Sequence, residues 1–384
     1  MITTIFFIFA GAALFSTVAL LTRQSMLVAY MILGMVLGPY GLQLINQVDA
    51  VKGIGEIGII FLLFLLGLHL TPQKLVGMLK KISLVGVVSS LVFALIGFVV
   101  SYLFGFGVTG SLVVGAAMMF SSTIIGIKLL PTTVLHHQHT GEMMISVLLF
   151  QDLLAIMVLL ILKVCTIHGS VVLDIAKVVV GFPLVLIFAF VFQRVCLMWL
   201  FKRFSRIKEY MFLVAIAWCL SMVELASFLK LSDEIGAFIA GVSLAASPIS
   251  VYIAESLKPV RDFFLVMFFF SVGALFNPFY FSQVALPAVI LGVVLFAVKP
   301  LVYHFLLTRV GESTSVAWEV GVRLGQISEF SIIISVVALS TSLIEAPTCY
   351  LIQAATMISF VLSSYWVVMK YQTPVALSDK LRRD

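Results

Sequence analysis

The chain has 384 residues, of which 62% are hydrophobic and only 10% are charged, and its mean hydropathy is +1.22. Soluble domains carry about one-quarter charged residues, so the composition excludes a soluble globular protein and predicts an all-α polytopic membrane protein whose main partner is the lipid bilayer. The formal net charge of +6 follows from membrane topology and calls for no nucleic-acid partner.

Apolar stretches recur along the whole chain, and each approaches the roughly 20 residues that a helix needs to cross a bilayer. Breaks at charged residues, prolines and glycine clusters predict about 13 transmembrane segments. In chain order they span 2–22, 25–42, 53–71, 82–104, 109–130, 143–164, 170–194, 208–229, 234–247, 259–277, 283–307, 316–341 and 347–369.

The basic residues predict the orientation of these segments, because lysine and arginine concentrate in cytoplasmic loops. With the N-terminus outside, the inner connections contain most of the basic residues of the chain. The outer connections contain only Lys52, Lys163, Lys177 and Lys230. The N-terminus is therefore predicted to lie outside, and the C-terminus, with a tail over 371–384, in the cytoplasm.

Two pairs of segments resemble each other within the chain. "FLLGLHLTP" (64–72) aligns with "FSVGALFNP" (270–278), and "AYMILGMVLG" (29–38) aligns with "GAFIAGVSLA" (236–245). If segments 1–6 repeat as 8–13 around a linking seventh, equivalent helices run in opposite directions. Such an inverted repeat is typical of secondary transporters, with the substrate site near the midplane. The alternative is a chance match between glycine- and leucine-rich stretches.

Segment 5 contains "FSSTIIGIKLL", with Ser121, Ser122 and Thr123 inside an apolar run. Hydroxyl groups and glycine permit local unwinding of a helix, and unwound carbonyls then face a water-filled cavity instead of lipid. Segment 5 is therefore a candidate broken helix. The alternative is that these hydroxyls bond back to carbonyls of their own helix.

Segment 6 contains "LLFQDLLAIMVLLIL", in which Gln151 and Asp152 stand side by side. An ionisable residue within a membrane span is costly and usually functional. The carbonyl oxygen of Gln151 can ligate a cation without adding charge, so the pair is a candidate site for a monovalent cation. The loop before it, "HHQHTGE" (136–142), suggests a metal site or pH sensor, but a solvated loop is the better interpretation.

Three further charges lie in later segments. Glu224, in "AWCLSMVELASF", is interpreted as a structural hydrogen-bonding acid. Lys299 precedes Pro300, whose missing N–H leaves a carbonyl without its usual donor, so Lys299 is expected to compensate half-helix dipoles. Snorkelling to an interface is the alternative for Lys299. Arg323 lies in segment 12.

Segment 12 reads "GVRLGQISEFSIII" and carries Gln326, Ser328 and Glu329 close to two glycines. Ser328 to Phe330 correspond to residues 121–123 when the two halves are aligned, so segment 12 is a second candidate broken helix. We expect the two breaks to cross and to contribute, with Gln151 and Asp152, to ion binding and proton coupling.

Seven motifs in a fixed order make the chain resemble the monovalent cation:proton antiporter-2 family, and within it the Kef-type potassium/proton antiporters. They are "ILGMVLGPYGL", "EIGIIFLLFLLGLHLTP", "FSSTIIGIKLL", "LLFQDLLAI", "IGAFIAGVSLA", "FFFSVGALFNP" and "GVRLGQISEFSIII". The resemblance implies a sodium/proton-antiporter-like fold in which segments 5 and 12 cross. It also implies an ion-binding acid at Asp152 and core basic residues at Lys299 and Arg323.

The resemblance implies a transmembrane domain over 1–370 in the bacterial inner membrane. An ion-transporting core of about 80–164 and 283–370 would move against a scaffold of about 1–78 and 170–277 that forms a homodimer. Kef-type antiporters usually continue into a cytosolic nucleotide-binding domain, whereas this sequence ends at "SDKLRRD" without a glycine-rich phosphate loop. We expect that regulatory domain to be missing or to be a separate subunit.

These observations predict a secondary transporter, not an enzyme, that exchanges a monovalent cation, K⁺ before Na⁺, for H⁺ at Asp152. Burial disfavours the charged carboxylate and a bound cation favours it, so each ligand expels the other. A single acid predicts electroneutral one-for-one exchange, with no cofactor in the chain. The alternatives are a sodium/proton antiporter and a ligand-gated potassium efflux channel, although no repeated carbonyl filter is present.

Overall fold

The computed structural model describes residues 2–22, 24–45, 48–69, 72–128, 139–165, 171–204, 207–229, 231, 233–245, 247 and 249–371. Over these residues every regular element is a helix, and no strand is present. The helices are α1 Ile2–Leu21, α2 Met26–Leu37, α3 Val48–His69, α4 Pro72–Leu103, α5 Val108–Met118, α6 Thr123–Lys128, α7 His139–Cys165, α8 Val171–Phe192, α9 Met198–Phe204, α10 Lys208–Phe228, α11 Asp233–Ala245, α12 Ser250–Leu275, α13 Pro278–Arg309, α14 Thr314–Arg323, α15 Glu329–Ser340 and α16 Ala346–Lys370. A π-helical turn, Gln193–Leu197, joins α8 to α9.

The predicted membrane segments fall on these helices, and segments 5 and 12 each fall on two. Among the described residues, 7 helices are long and apolar enough to cross a membrane by length and composition, and shorter apolar helices accompany them. The all-helical membrane fold is confirmed, while the number of crossings stays a prediction. Of the predicted tail, only Tyr371 is among the described residues.

Side-chain caps fix where several helices begin. The side chain of Ser25 accepts a hydrogen bond from the backbone of α2, and Asn277 does the same for α13, which starts with Pro278. Ser313 and Ser328 cap α14 and α15 in the same way. These residues satisfy backbone N–H groups that have no partner within their own helices.

The chain forms two compact units. The first contains Met1–Leu44, Met78–Val158 and Gly273–Asp384, and the second contains Ile45–Gly77 and Leu159–Val272. In the first unit α13 packs against α14 and α16, and α15 packs against α5 and α16; in the second, α11 packs against α3 and α10. The predicted division into an ion-transporting core and a scaffold stays a prediction. Which parts move stays a prediction.

Close helix contacts occur at the glycines of the repeated motifs. A methyl group at Gly67 on α3 would meet the backbone of Phe238 and Gly241 on α11. At the equivalent position of the second half, a methyl group on Gly273 would meet the backbone of Met31 on α2. Only glycine permits such backbone approaches. Each contact joins a helix of one half to a helix of the other, and the two contacts are equivalent under the repeat. This equivalence supports the repeat, while its inverted orientation stays a prediction.

Candidate functional site

Segment 5 is broken, as its hydroxyl run predicts. Residues 119–122 are not helical between α5 and α6, so their backbone groups need partners from elsewhere. The side chain of Gln151 on α7 supplies two of them. Its Oε1 accepts a hydrogen bond from the backbone N–H of Ser121 at 3.0 Å, and its Nε2 donates to the carbonyl of Met119 at 3.3 Å.

Segment 12 is broken at residues 324–328, between α14 and α15. The Nε2 of Gln326 donates to the carbonyl of Ser122 at 3.3 Å, and its Oε1 accepts from the hydroxyl of Ser363 at 2.9 Å. The Ser121 hydroxyl donates to the carbonyl of Leu324 at 2.8 Å. These bonds join the two breaks directly, so the predicted crossing of segments 5 and 12 is present, and we call it the crossing.

Lys299 occupies the crossing. It lies on α13 with 0% of its surface exposed, and its Nζ donates to the carbonyl of Phe120 at 2.5 Å and to that of Gln326 at 3.0 Å. The ammonium also lies 5.0 Å from the centroid of the Phe93 ring. The two carbonyls follow the C-terminal ends of α5 and α14, where helix dipoles are negative. Snorkelling to an interface is therefore excluded.

Asp152 is 1% exposed, and both of its carboxyl oxygens lie 3.2 Å from the Thr123 hydroxyl at the start of α6. A second buried carboxyl, that of Glu329 at the start of α15, is close enough to interact with it electrostatically. Asp152 thus has a second buried acid within electrostatic reach, and whether exchange uses one acid or two stays a prediction. A buried carboxylate pair is costly unless protons or cations balance it, so the cluster of Asp152, Glu329 and Thr123 is suited to exchange one for the other.

The remaining predicted polar residues form hydrogen bonds that support the breaks. The Ser122 Oγ accepts from the backbone N–H of Ile125 at 3.1 Å, and the Ser328 Oγ accepts from that of Phe330 at 3.1 Å. Gln151, Ser121 and Gln326 are engaged by the bonds given above. The structure thus brings every predicted ion-site residue into the first unit, but it divides them between a carboxyl cluster and a backbone-supporting shell.

Two charges predicted as structural compensation lie elsewhere. Arg323 ends α14 and is 2% exposed; its Nη2 lies 2.9 Å from Glu319, one turn earlier, and its guanidinium lies 5.2 Å from the Tyr371 ring. Glu224 is exposed on α10 and belongs to the second unit. The expectation that Glu224 is a structural hydrogen-bonding acid stays a prediction.

The histidine loop gives no metal site in the part of the chain that the structure describes. His136 to Gln138 lie outside that part, and no group of three or more metal-ligating side chains occurs within it. His139 pairs with Glu312, with 2.7 Å between Nε2 and Oε2. This contact connects the start of α7 to the turn before α14.

Sequence reasoning missed three residues that support the crossing. Tyr303 bonds Gln151 and Ser121, while the hydroxyls of Ser359 and Ser363 on α16 bond the backbone of Ile327 and the side chain of Gln326. A signal existed for Tyr303, because it follows Lys299 by one helical turn and therefore shares its face. The serines of α16 gave no such signal, since serine is common in transmembrane helices.

Two known transporters are similar to this chain in sequence. K(+) efflux antiporter 6 of Arabidopsis thaliana is 29% identical over 348 residues, 88% of this chain and 58% of the relative. The iron transporter MagA of Paramagnetospirillum magneticum is 28% identical over 348 residues, 90% of this chain and 80% of the relative. The chain thus spans little more than half the length of the first of these relatives.

The fold is shared with a solved structure. The sodium proton antiporter MjNhaP1 from Methanocaldococcus jannaschii at pH 8 matches with a TM-score of 0.66, 17% identity and 95% of each chain covered. The sequence model of the sodium/hydrogen exchanger transmembrane family matches residues 3–370. The expected resemblance to cation:proton antiporters is confirmed: the chain is an integral membrane protein that belongs to the sodium/hydrogen exchanger family.

Proposed function

We propose that this protein exchanges a monovalent cation, K⁺ in preference to Na⁺, for H⁺ by alternating access around Asp152. The observation that carries the proposal is the buried Asp152 carboxyl, 1% exposed and bonded by Thr123 beside the crossing. An intramembrane acid in such a position is a site of ion or proton binding by default. Membership of an exchanger family supports the same conclusion.

The exchange follows from the two states of one carboxyl. Protonated Asp152 is neutral and has no charge with which to hold a cation. Deprotonated Asp152 attracts the cation, whose remaining oxygen ligands are the Thr123 hydroxyl and the second lone pair of Gln151 Oε1. A buried carboxylate is costly without a counter-charge, so loss of the proton and entry of the cation are coupled.

The second acid is compatible with one-for-one exchange if its charge stays constant. Glu329 lies in the first turn of α15, where the positive end of the helix dipole favours a carboxylate. Lys299 places its amino group between two carbonyls of the crossing. We therefore assign these two charges to mutual compensation and the changing charge to Asp152, which gives electroneutral exchange.

The proposed cation is K⁺ because one relative is named a K(+) efflux antiporter. The solved structure with the shared fold is titled a sodium proton antiporter, and another relative is named an iron transporter. These names make Na⁺ and Fe²⁺ the competing substrates. The choice among the three ions depends on the size of the cavity and the arrangement of its oxygens.

We also propose that the protein lies in the bacterial inner membrane with its N-terminus outside and its C-terminus inside, as the distribution of basic residues supports. We propose that it forms a homodimer through the second unit. The resemblance to the antiporter family is what supports that assembly. A cytosolic nucleotide-binding partner remains part of the proposal.

Cation-driven proton flux in proteoliposomes tests the proposed function. With a pH-sensitive dye inside the vesicles, we expect K⁺ and Rb⁺ to drive proton movement at lower concentrations than Na⁺ or Li⁺. Vesicles without protein are the control. The same measurement with Fe²⁺ under reducing conditions tests the iron alternative. Proton flux driven by none of the monovalent cations contradicts the proposal, and flux driven by Fe²⁺ alone supports the iron alternative.

A voltage-sensitive dye in the same vesicles tests the stoichiometry. One-for-one exchange moves no net charge, so K⁺-driven proton flux is expected to continue without building a membrane potential. Valinomycin, which lets K⁺ carry charge across the membrane, provides the positive control for the dye. A potential that grows with the flux contradicts one-for-one exchange, and a sign that shows an excess of protons over cations would assign a titrating role to Glu329 as well.

A further inference from the structure

Gln353 is a buried amide on α16 that the proposed exchange step does not use. It lies in the first unit and is 4% exposed. Its Nε2 donates to the sulfur of Cys349, one turn earlier, at 3.2 Å. Its Oε1 has no hydrogen-bond partner among the residues that the structure describes. Buried polar atoms in native proteins almost always have a partner, and an ordered water supplies it where the protein does not.

Reversing the Gln353 amide does not give its oxygen a donor. Ser335 on α15 has one hydroxyl proton, which it donates to the carbonyl of Ile332 at 2.8 Å. The Ser335 oxygen therefore accepts the thiol proton of Cys349, with 3.5 Å between sulfur and oxygen. The sulfur is then an acceptor, which an N–H of Gln353 satisfies and a carbonyl oxygen does not. The hydrogen bonds thus direct Nε2 to Cys349 and leave Oε1 for another donor.

Gln353 belongs to a seam of buried polar side chains between α15 and α16, which we call the α16 seam. Its members are at most 4% exposed, and those on α16 recur every three or four residues, so they share one face of the helix. They are Ser331 and Ser335 on α15 and Cys349, Gln353, Thr356, Ser359 and Ser363 on α16. At one end of the seam Cys349 contacts Ser335. At the other, the Ser359 hydroxyl accepts from the backbone N–H of Ile327 at 3.0 Å, so the seam reaches the break of segment 12.

Small hydroxyl residues by themselves need no water. They let two helices pack closely, and the Thr356 hydroxyl, for example, bonds the carbonyl of Ile352 on its own helix at 2.8 Å. Gln353 differs, because its amide brings into the seam an acceptor that no helix partner satisfies.

We propose that the α16 seam binds ordered water at Gln353 Oε1 and that this water is part of a proton route between the crossing and the outer side. In the proposed topology α15 leads from the break towards the outside. The side chains of the seam are amide, hydroxyl and thiol groups, which bond water but hold no charge for a cation, so the proton is the ion assigned to it. The water site stands independently of transport, whereas its use as a route rests on the proposed function.

X-ray radiolytic footprinting of the purified protein tests for the water. Hydroxyl radicals formed from bound water oxidise the side chains beside it, and Cys349 contacts the Gln353 amide. Cys219, 0% exposed in the second unit, is the internal control. We expect Cys349 to be oxidised faster than Cys219, and Gln353→Leu to lower the Cys349 rate to that of Cys219. Oxidation of Cys349 no faster than that of Cys219 in the wild type overturns the water site, and this comparison does not depend on the folding of a variant. An unchanged Cys349 rate in folded Gln353→Leu overturns it as well.

Cation-driven proton flux in H₂O and D₂O tests the route. Gln353→Leu should lower the maximal rate and make it more sensitive to D₂O, because proton delivery then limits exchange; a merely structural defect lowers the rate without the added isotope effect. Ser101→Ala, which removes a buried hydroxyl bonded to Gly97 on its own helix, is the matched control. A wild-type rate and isotope effect in Gln353→Leu overturn the route and leave the proposed function standing. Absence of exchange in the wild type overturns the proposed function and the route, and footprinting then decides the water site alone.

Discussion

Asp152→Asn is expected to abolish cation-driven proton flux and to leave the protein folded. The amide has nearly the shape of the carboxyl and retains an oxygen for the Thr123 hydroxyl, which now bonds the Asp152 carboxyl at 3.2 Å. It has no proton to release and no charge to balance a cation, so neither half of the exchange remains. Flux should fall to the level of vesicles without protein, measured with an internal pH dye.

Asp262→Asn is the matched control for this substitution. Asp262 is an exposed acid of α12, paired with its neighbour Arg261 at 2.8 Å, and exposed pairs contribute at most about 1 kcal/mol. The control should retain wild-type flux. Equal elution volumes of Asp152→Asn and the wild type in size-exclusion chromatography would show that the loss is functional; near wild-type flux in Asp152→Asn would contradict the assignment of the exchange to this residue.

Lys299→Met is expected to have the largest effect on stability. The ammonium donates to the carbonyls of Phe120 and Gln326, one in each broken helix, and methionine fills similar space without a donor. Each buried carbonyl left without a partner costs about 1–3 kcal/mol. The loss should appear as a lower melting temperature in detergent and a lower yield of monodisperse protein.

The same variant separates a structural lysine from a proton-coupling one. We expect the pH midpoint of transport to move by less than about one unit, the equivalent of about 1.4 kcal/mol of proton affinity. Lys258→Met is the control, because the Lys258 side chain is partly exposed and pairs with Glu255 on its own helix. Unchanged stability together with a larger shift of the midpoint would make Lys299 part of the proton-binding machinery.

Much of the fold was predictable because membrane spans depend on local composition. Long apolar runs define helices, and the hydroxyl-rich "FSST" and "GQISEF" stretches indicated where two of them break. Lys299 was also predictable, since a charge in mid-span needs acceptors and broken helices provide them. In each case a short stretch of sequence contains polar or charged groups that are costly within a membrane, and the structure provides their hydrogen-bond partners.

The division of roles within the site depends on distances between segments, which a single sequence does not contain. Gln151 adjoins the proposed ion-binding acid Asp152 along the chain, yet its side chain supports the backbone of Ser121 and Met119. Glu329 lies far from Asp152 in sequence, and only the crossing brings the two carboxyls together. Glu224 lies within an apolar run and is exposed. The sequence did not predict this exposure, because hydropathy along the chain does not tell which face of a helix is covered.

Proton release on cation binding tests the central role of Asp152 most directly. Purified protein in weakly buffered detergent solution, at a pH where Asp152 is still partly protonated, should acidify the medium when KCl is added and not when choline chloride is added. The account predicts up to one proton per chain for the wild type and none for Asp152→Asn. Equal proton release by Asp152→Asn and the wild type would contradict competition between H⁺ and K⁺ at this carboxyl.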